Sequence, residues 1–311
     1  MKISAILAMS VLCAAAADLR LGIVGTDTSH VIAFTSILND PANKDYVPGA
    51  RVVAAFKGGS PDLASSRDRV DKYAAELQSK YGVEIVPDIA TLLGKVDAVL
   101  LESVDGRAHL AQFREIARAG KPVFIDKPLA STLEDAREIA RIAQQYGVRW
   151  FSSSALRYSS LLPELKMEGL SGAFVWGPGP LEPTHQLDLS WYGIHALEIL
   201  YTLMGTGCEE VTRISGANAD VIVGRWKDGR LGGVHAIRPY SDYGAVVFGP
   251  KKTLRSTPEM KTGYRPLVQE IVKFFQTGVP LVPNEETLEI FAFMDAAQRS
   301  KEAGGKPMTL R

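Results

Sequence analysis

The stretch AGKPVFIDKPLA (residues 119–130) is the most informative part of the sequence. Residues 122–125 form a short apolar run with the length and composition of a buried strand. Lys127 follows this run almost at once, between a carboxylate and a proline. In an open α/β sheet, ligands bind at the carboxyl ends of the strands. A lysine held there can be partly desolvated and can then donate or accept a proton.

The sequence around this stretch, from Asp18 to about Trp150, alternates apolar runs with amphipathic segments. The predicted strands are 19–24, 51–56, 83–86, 97–101 and 122–125, and the predicted helices are 29–38, 61–81, 108–119 and 133–146. Strands that alternate with helices of this length are typical of βαβ units around a parallel sheet. We therefore predict a Rossmann-like α/β domain over residues 18–150.

The pattern changes after Arg149. Segments 213–222, 224–237 and 244–254 are typical of strands, with a hairpin signal at Lys227-Asp228-Gly229. Predicted helices cover 192–204, 264–277 and 285–303, and the Gly-Pro run at 177–180 is predicted to be a loop. These features predict an α/β domain over residues 151–311, with an open, mainly antiparallel sheet covered on one face.

Composition excludes several classes of function. The chain has 311 residues, 46% of them hydrophobic, with 35 basic and 35 acidic side chains. This balance provides no basic field, so we expect no nucleic-acid partner.

Residues 1–17 have the character of a secretory signal peptide. Lys2 precedes an apolar run, and four alanines precede the expected cleavage after Ala17. The alternative is a buried first helix. No later segment has the length and apolarity of a membrane span, so we expect a periplasmic or secreted protein without stable membrane insertion. Loss of Cys13 with the signal peptide would leave Cys208 as the only cysteine, so no internal disulfide is expected.

The first turn departs from the dinucleotide-binding motif Gly-x-Gly-x-x-Gly. In GIVGTDTSH (residues 22–30), only Gly25 matches, and Asp27 and His30 occupy the positions of the second and third glycines. Asp27 either opposes a pyrophosphate by like charge or caps the helix that follows. Nearby hydroxyls that could still hold a phosphate belong to Thr26, Thr28 and Ser29.

Taken together, the motifs resemble those of the Gfo/Idh/MocA family of sugar and polyol oxidoreductases. The resemblance rests on GIVG at 22–25, on 119–130, on ALRY at 155–158 and on YGIH at 192–195. It implies a Rossmann domain followed by an α/β substrate domain, an NAD or NADP cofactor and a homo-oligomer. It also implies two catalytic residues: Lys127 would orient the substrate and the nicotinamide, and His195 would transfer a proton.

The residues predicted to contact the cofactor are Gly25, Thr26, Asp27, Thr28, Ser29, His30, Lys57, Ser103, Asp126 and Lys127. Lys57 with Ser60 could accept the 2′-phosphate of NADP, or Lys57 could be an ordinary surface residue, so the choice between NAD and NADP stays open. The residues predicted to contact the substrate are Arg157, Tyr158, His185, Asp188, Trp191, Tyr192 and His195. Aromatic faces beside imidazoles and carboxylates suit a small carbohydrate-like ligand.

One position breaks the family pattern near His195. The acidic residue that the family has four residues earlier is Trp191 here, and an indole cannot relay a proton. Asp188 or Glu198 could replace it. The resemblance also assigns His109 to the start of a helix, and we expect a structural role for it.

The leading prediction is an exported NAD(P)-dependent oxidoreductase that acts on a sugar, polyol or glycoside. Three alternatives stay open: a redox-assisted glycosidase or lyase with tightly bound NAD, a carbohydrate-binding protein that has lost the cofactor, and a metal-dependent hydrolase. The residues that the last alternative would use are His30, His185, His195, His235 and Glu182. The leading prediction includes no metal.

Overall fold

The computed structural model describes residues 17–256, 260 and 262–311. Apart from Ala17, the predicted signal peptide lies outside the described residues. Among the helices in the described part of the chain, none combines the length and apolarity needed to cross a bilayer.

The first sheet is parallel and has six strands. They are β1 (Leu19–Val24), β2 (Ala50–Phe56), β3 (Glu84–Val86), β4 (Ala98–Leu101), β5 (Val123–Asp126) and β6 (Trp150–Ser153). Their order in the sheet is β3-β2-β1-β4-β5-β6. The direction of winding reverses between β1 and β4, which is where doubly wound sheets bind ligands. The predicted Rossmann-like architecture is confirmed.

Six helices accompany this sheet. They are α1 (His30–Asn39), α2 (Ala64–Arg67), α3 (Val70–Tyr81), α4 (Ile89–Leu93), α5 (Gly106–Arg118) and α6 (Leu133–Tyr146). Left-handed Gly82 and Gly147 end α3 and α6, and the Thr132 hydroxyl caps the start of α6. The single helix predicted over 61–81 is two helices instead, because the backbone at Arg69 leaves helical geometry.

The second sheet is mixed and mainly antiparallel, as predicted. Its strands are β7 (Gly172–Pro178), β8 (Cys208–Ser215), β9 (Ala219–Trp226), β10 (Leu231–Ile237), β11 (Gly244–Phe248), β12 (Thr253–Arg255) and β13 (Met308–Thr309). They lie in the order β12-β11-β7-β10-β9-β8-β13. Among the described strands of this second sheet, β7 and β10 are the only neighbours that run parallel.

Two predictions for this sheet are wrong. Residues 213–222 do not form one strand, because the chain turns between β8 and β9. Residues 177–180 are not all loop, because Gly177 and Pro178 continue β7 beside β10, with Pro178 opposite Ile237. The hairpin at 227–229 is present, since it joins antiparallel β9 and β10.

Four further helices are α7 (Leu162–Leu165), α8 (Gly193–Met204), α9 (Arg265–Thr277) and α10 (Asn284–Glu302), and short 3-10 turns occupy Ala155–Tyr158 and Asp188–Ser190. Helix α8 packs against β7 and β10. Helix α9 returns instead to the first sheet, where Phe274 lies 4.9 Å from the ring of Phe151. The first sheet therefore includes or packs against residues on both sides of the boundary expected at residue 150. Strand β6 crosses this boundary, and helix α9 lies entirely beyond it.

Candidate functional site

A cavity of about 490 Å³ opens where the carboxyl end of the first sheet meets the second half of the chain. One wall of the cavity consists of residues that follow β1, β4, β5 and β6. The other wall consists of residues before and within α8 and of the segments that precede β11 and α9. The side chains in this lining with acid–base or hydrogen-bonding chemistry include His30, Lys127, Ser154, His195, Tyr243 and Tyr264. This is the position that a doubly wound sheet predicts for its ligand.

Lys127 reaches the cavity because β5 ends one residue before it. Its Nζ lies 5.9 Å from the centre of the Tyr192 ring, and it makes no hydrogen bond within the described ranges. Burial lowers the pKa of Lys127, although the neighbouring Asp126 carboxylate acts in the opposite direction. The ammonium is therefore desolvated beside the cavity, as the sequence led us to expect.

His30 lines the same cavity and is paired with a carboxylate. Its Nδ1 lies 2.6 Å from Oδ2 of Asp126, and the two side chains are 13% and 3% exposed. The imidazole stacks on Phe34 with ring centres 5.5 Å apart, and the ring of Tyr264 lies 4.8 Å away. Burial alone would raise the pKa of Asp126, but His30 and Lys127 outweigh it, and the net pKa is lowered.

His195 lies in the first turn of α8, on the opposite wall. Its Nδ1 is 2.7 Å from Oγ of Ser154. The rings of Tyr192 and Tyr243 meet it edge-on at 5.8 and 6.0 Å. Burial holds the pKa of His195 well below its ordinary value, and the positive charge of Lys127 acts in the same direction. The imidazole is therefore neutral near pH 7.

The expectation that Asp188 or Glu198 replaces the acidic partner of His195 is wrong. Asp188 accepts hydrogen bonds from Arg213 and Lys301, each at 2.6 Å. Glu198 forms an ion pair with Arg157. Each carboxylate is paired with a cation that is itself buried or half-buried. Such a partner stabilises a carboxylate charge that has lost its contact with water. The hydroxyl of Ser154 takes the position beside the imidazole.

The other predicted substrate residues divide between the cavity and its surroundings. Trp191 and Tyr192 line the cavity with His195. Arg157 does not, because its guanidinium also pairs with Glu286 at 2.6 Å in a buried cluster. Tyr158 packs against the core of the first sheet.

His185 also lies behind the cavity wall. Its Nε2 is 3.4 Å from Oδ1 of buried Asp105, and its ring is 5.3 Å from that of Trp191. His185 thus joins the segment before α8 to the first sheet and supports Trp191 from behind.

Four of the predicted cofactor residues line the cavity: Thr28, Ser29, His30 and Lys127. The others lie beneath or beside it. Gly25 has φ of 91°, and a Cβ there would overlap the backbone nitrogen and the hydroxyl of Ser103, so only glycine fits. The Thr26 hydroxyl is buried and donates to the carbonyl of Val70. Lys57 is outside the cavity, in an exposed ion pair with Asp71 at 2.8 Å.

Asp27 does not cap α1, whose N-cap is Ser29. Its carboxylate is completely buried and points away from the cavity lining. Oδ2 accepts from the Ser66 hydroxyl at 2.5 Å, and Oδ1 accepts from the backbone nitrogen of Val104 at 2.9 Å. Burial raises the pKa of Asp27, and these two hydrogen bonds oppose it. The side chain therefore ties the first turn to α2 and to the loop after β4.

The residues around the start of α1 fit an anionic group such as a pyrophosphate. Ser29 makes no side-chain cap, and the first backbone N–H group of α1, that of His30, donates to Oγ1 of Thr28 at 3.4 Å. The N–H groups of the next two residues have no side-chain acceptor among the described residues. Ser65 contributes to the cavity lining, and its hydroxyl is buried without a hydrogen-bond partner among the described residues. Arg69 supplies a positive charge on the same wall. A dinucleotide can thus be accommodated although Asp27 replaces a glycine.

The four histidines weighed as metal ligands do not all meet at one place, because His30 and His195 line the cavity whereas His185 and His235 do not. No group of three His, Cys, Asp or Glu residues placed to hold a metal occurs in the ranges that the structure describes. His109 is fully buried between the carbonyl oxygens of Ser103 and Leu129, at 2.8 and 3.2 Å from its ring nitrogens. This is the structural role expected for it.

The sequence did not reveal Ser65, Arg69, Tyr243 and Tyr264 as cavity residues. Tyr264 is the N-cap of α9, two residues before a proline, so a helix start was visible but its position in space was not. For Ser65, Arg69 and Tyr243 no sequence signal was present. Ser154 was visible only as the last residue of the serine run 152–154, which begins within β6.

Comparison with known proteins gives consistent matches. Residues 20–154 match the family model described as oxidoreductase family, NAD-binding Rossmann fold. Inositol 2-dehydrogenase/D-chiro-inositol 3-dehydrogenase of Halalkalibacterium halodurans is 29% identical over 176 residues, covering 52% of this chain and 50% of that protein. The 1,5-anhydro-D-fructose reductase of Ensifer adhaerens is 34% identical over 100 residues, covering 31% and 30%. The matched region thus spans half or less of these relatives.

Solved structures extend the likeness of fold to the whole chain. Myo-inositol dehydrogenase from Lactobacillus casei, in complex with NAD(H) and myo-inositol, superposes with a TM-score of 0.74 at 17% identity, covering 95% of this chain and 97% of that one. At this identity the likeness establishes the fold alone.

Proposed function

We propose that the protein oxidises or reduces a cyclic polyol or sugar with NAD, because residues 20–154 match the model of the Gfo/Idh/MocA oxidoreductase family with its NAD-binding Rossmann fold. The observation that carries the proposal is the convergence of Lys127, His195 and His30 on one cavity, at the carboxyl end of the first sheet. Proton transfer to and from a hydroxyl needs such groups within reach of the reacting atoms.

Thr28, Ser29, Ser65 and Arg69 are the residues that would hold the pyrophosphate. NAD, when bound, would accept a hydride from a carbinol carbon or return one to a carbonyl carbon. We favour NAD over NADP because Lys57, the cation considered for a 2′-phosphate, is paired with Asp71, and neither Lys57 nor Ser60 belongs to the cavity lining.

The walls of the cavity support a polyol or sugar substrate. Trp191, Tyr192 and Tyr243 provide aromatic surface for the C–H faces of a ring. Lys127 and His195 provide polar atoms for its hydroxyls. The desolvated ammonium of Lys127 would bind the oxygen at which negative charge develops, where a low local dielectric strengthens the interaction. The two relatives are named as an inositol dehydrogenase and an anhydrosugar reductase, and the compounds in these names belong to the same chemical class as the proposed substrate.

The first experiment is to purify the protein, denature it and identify any released nucleotide by mass spectrometry. NAD and NADP are then titrated by calorimetry into nucleotide-free protein. Turnover is measured by nicotinamide absorbance with myo-inositol and related cyclic polyols in the oxidative direction, and with 1,5-anhydro-D-fructose in the reductive direction.

Lys127→Met tests the role of the ammonium. We expect loss of turnover by a factor of about 10² or more, with the melting temperature and nucleotide affinity retained. The matched control is Lys121→Met, at the opposite end of β5, which should keep wild-type turnover. If neither nucleotide binds, the oxidoreductase proposal fails and a carbohydrate-binding protein becomes the better description. If Lys127→Met turns over normally, Lys127 has no part in the reaction.

We further propose that the protein is exported, on the strength of the charged start, apolar run and alanine-rich end of residues 1–17. Expression of the full chain in a bacterial host should give a mature protein that begins at Asp18. An intact N-terminus in the purified protein would contradict this.

A further inference from the structure

The two histidines of the cavity differ in the partner of their Nδ1 atoms. His30 has a carboxylate, Asp126. His195 has a hydroxyl, that of Ser154. The partner of one ring nitrogen fixes which nitrogen carries the proton in a neutral imidazole, and so fixes whether the other nitrogen accepts or donates.

The carboxylate of Asp126 makes Nδ1 of His30 a donor. A carboxylate can only accept, so Nδ1 carries the proton at the 2.6 Å contact. In the neutral ring, Nε2 then keeps its lone pair. Nε2 has no hydrogen-bond partner in the described part of the chain, and the ring lines the cavity. Stacking on Phe34 and contact with the tilted ring of Tyr264 hold the imidazole in this orientation.

The Ser154 hydroxyl gives His195 the opposite arrangement. Ser154 Oγ already accepts a hydrogen bond from the backbone nitrogen of Leu156 at 3.2 Å. The only acceptor that the described residues offer to the hydroxyl proton is Nδ1 of His195 at 2.7 Å. With Ser154 donating, Nδ1 is an acceptor, and Nε2 of the neutral imidazole carries the proton. His195 therefore presents a donor to the cavity.

We infer that His30, and not His195, is the general base of the reaction, and that His195 serves as a hydrogen-bond donor to a substrate oxygen. The inference rests on the proposed function. In the oxidative direction the substrate O–H bond breaks and its proton passes to Nε2 of His30. NAD, when bound, would accept the hydride that leaves the carbinol carbon as its C=O bond forms. Asp126 is a positioning residue, because it acts through the His30 imidazole that it contacts and through its charge beside Lys127.

This chain has Trp191 where the family has the acidic partner of the histidine. The contact between Asp126 and His30 supplies a carboxylate–imidazole pair at another place in the cavity. The pair is built from the first sheet, at the position where Gly-x-Gly-x-x-Gly would have its third glycine. A glycine there would leave Asp126 without its imidazole partner, and a histidine there contributes both the partner and a base.

The pH dependence of the reaction reflects every titratable group that faces His30. Asp126 contacts its Nδ1, Tyr264 lies against its ring, and Lys127 and His195 share the cavity. Glu102 lies behind Asp126 and is coupled to it by charge. A pH profile of the wild type alone therefore does not identify the base, and variants are needed.

The decisive measurement is the tautomeric state of each ring by nitrogen NMR on the 15N-labelled full-length protein, which has five histidines. His30→Asn and His195→Asn assign the signals by their loss. We expect the proton on Nδ1 for His30 and on Nε2 for His195. The reverse tautomer in either ring would overturn the inference. This readout needs neither cofactor nor substrate.

The same two variants separate a base from a donor by kinetics. Asparagine at 30 keeps an N–H for Asp126 and removes only Nε2. Asparagine at 195 keeps an acceptor for Ser154 and removes only the Nε2 proton. We expect His30→Asn to lower kcat by about 10²–10⁴-fold and to give a rate that rises about tenfold per pH unit, because hydroxide must replace the base. His195→Asn should lower kcat by about 10²-fold without changing the shape of the profile.

His235→Asn, on β10 and outside the cavity lining, is the control and should leave both kcat and the profile unchanged. If the wild type turns over no cyclic polyol or sugar, the proposed function fails, and the assignment of a base fails with it. If the wild type is active and His30→Asn keeps a wild-type rate and profile, the inference alone is overturned.

Discussion

Glu102 is predicted to make the stability of the fold depend on pH, and Glu102→Gln should remove that dependence. The residue follows β4 and is completely buried, and neither carboxyl oxygen has a hydrogen-bond partner among the described residues. Burial raises the pKa of Glu102 well above its ordinary value, and the charges of Asp126 and Asp27 act in the same direction. The folded protein therefore binds a proton at Glu102 more tightly than the unfolded chain does.

The sign and size of the effect follow from proton linkage. Since the pKa is higher in the folded state, the contribution of Glu102 to stability is present below the unfolded pKa and is lost as the pH rises toward the folded pKa. The slope for one such group is about 1.4 kcal/mol per pH unit within that window. A glutamine side chain cannot ionise, so the free energy of unfolding of the Glu102→Gln variant should lack this term. Asp27 also has a raised pKa and interacts with Glu102 by charge. Its contribution cancels in the difference over the pH range below the folded pKa of Glu102, where Glu102 is uncharged in the folded wild type.

The assay is urea unfolding of wild type and Glu102→Gln at several pH values from 5 to 7, followed by tryptophan fluorescence. The difference in unfolding free energy, variant minus wild type, should grow by about 1.4 kcal/mol for each pH unit until the folded pKa is passed. Glu115→Gln, on the exposed face of α5, is the control and should give a difference that does not vary with pH. A difference for Glu102→Gln that stays constant from pH 5 to 7 would refute the reasoning, because it would mean that Glu102 titrates alike in both states.

Three further substitutions probe the framework of the site. Asp188→Asn should lower the free energy of unfolding in urea by about 3–5 kcal/mol, because it leaves fully buried Arg213 with an incomplete set of partners. Gly25→Ala should lower the melting temperature and abolish nucleotide binding in calorimetry, because a Cβ there overlaps the backbone of Ser103. Lys57→Ala should leave the melting temperature and NAD affinity unchanged, since its ion pair is exposed. A large fall in NADP affinity alone would instead assign Lys57 to a 2′-phosphate.

Local signals in the sequence predicted much of the first sheet. Helix α6 has the predicted bounds, because Thr132 caps its start and a glycine ends it. The strand before Lys127 was visible from its apolar run and its length. Strand β7 was missed because a Gly-Pro run usually marks a loop, whereas here the neighbouring strand β10 completes the pairing.

The site was predictable only where its chemistry follows directly from a strand or a helix start. Lys127 is such a case, and His195 was indicated by the family resemblance of YGIH at 192–195. Arg157 was assigned to the substrate, but it is bound by Glu286, which is far away in sequence and approaches only through the packing of α10. The pairing of His30 with Asp126 joins the first residue of α1 to the last residue of β5, and no local sequence pattern indicates that these two residues are in contact.

The return of α9 to the first sheet has a consequence for folding during synthesis. Leu267, Ile271 and Phe274 belong to the same core cluster as Phe124 and Phe151. The ribosome therefore releases all six strands of this sheet long before the helix that completes their cover. Until about residue 277 has emerged, one face of the sheet keeps its aromatic residues in contact with water. A nascent chain of this length is a natural target for chaperones, and its first half completes folding only when nearly the whole chain has been made.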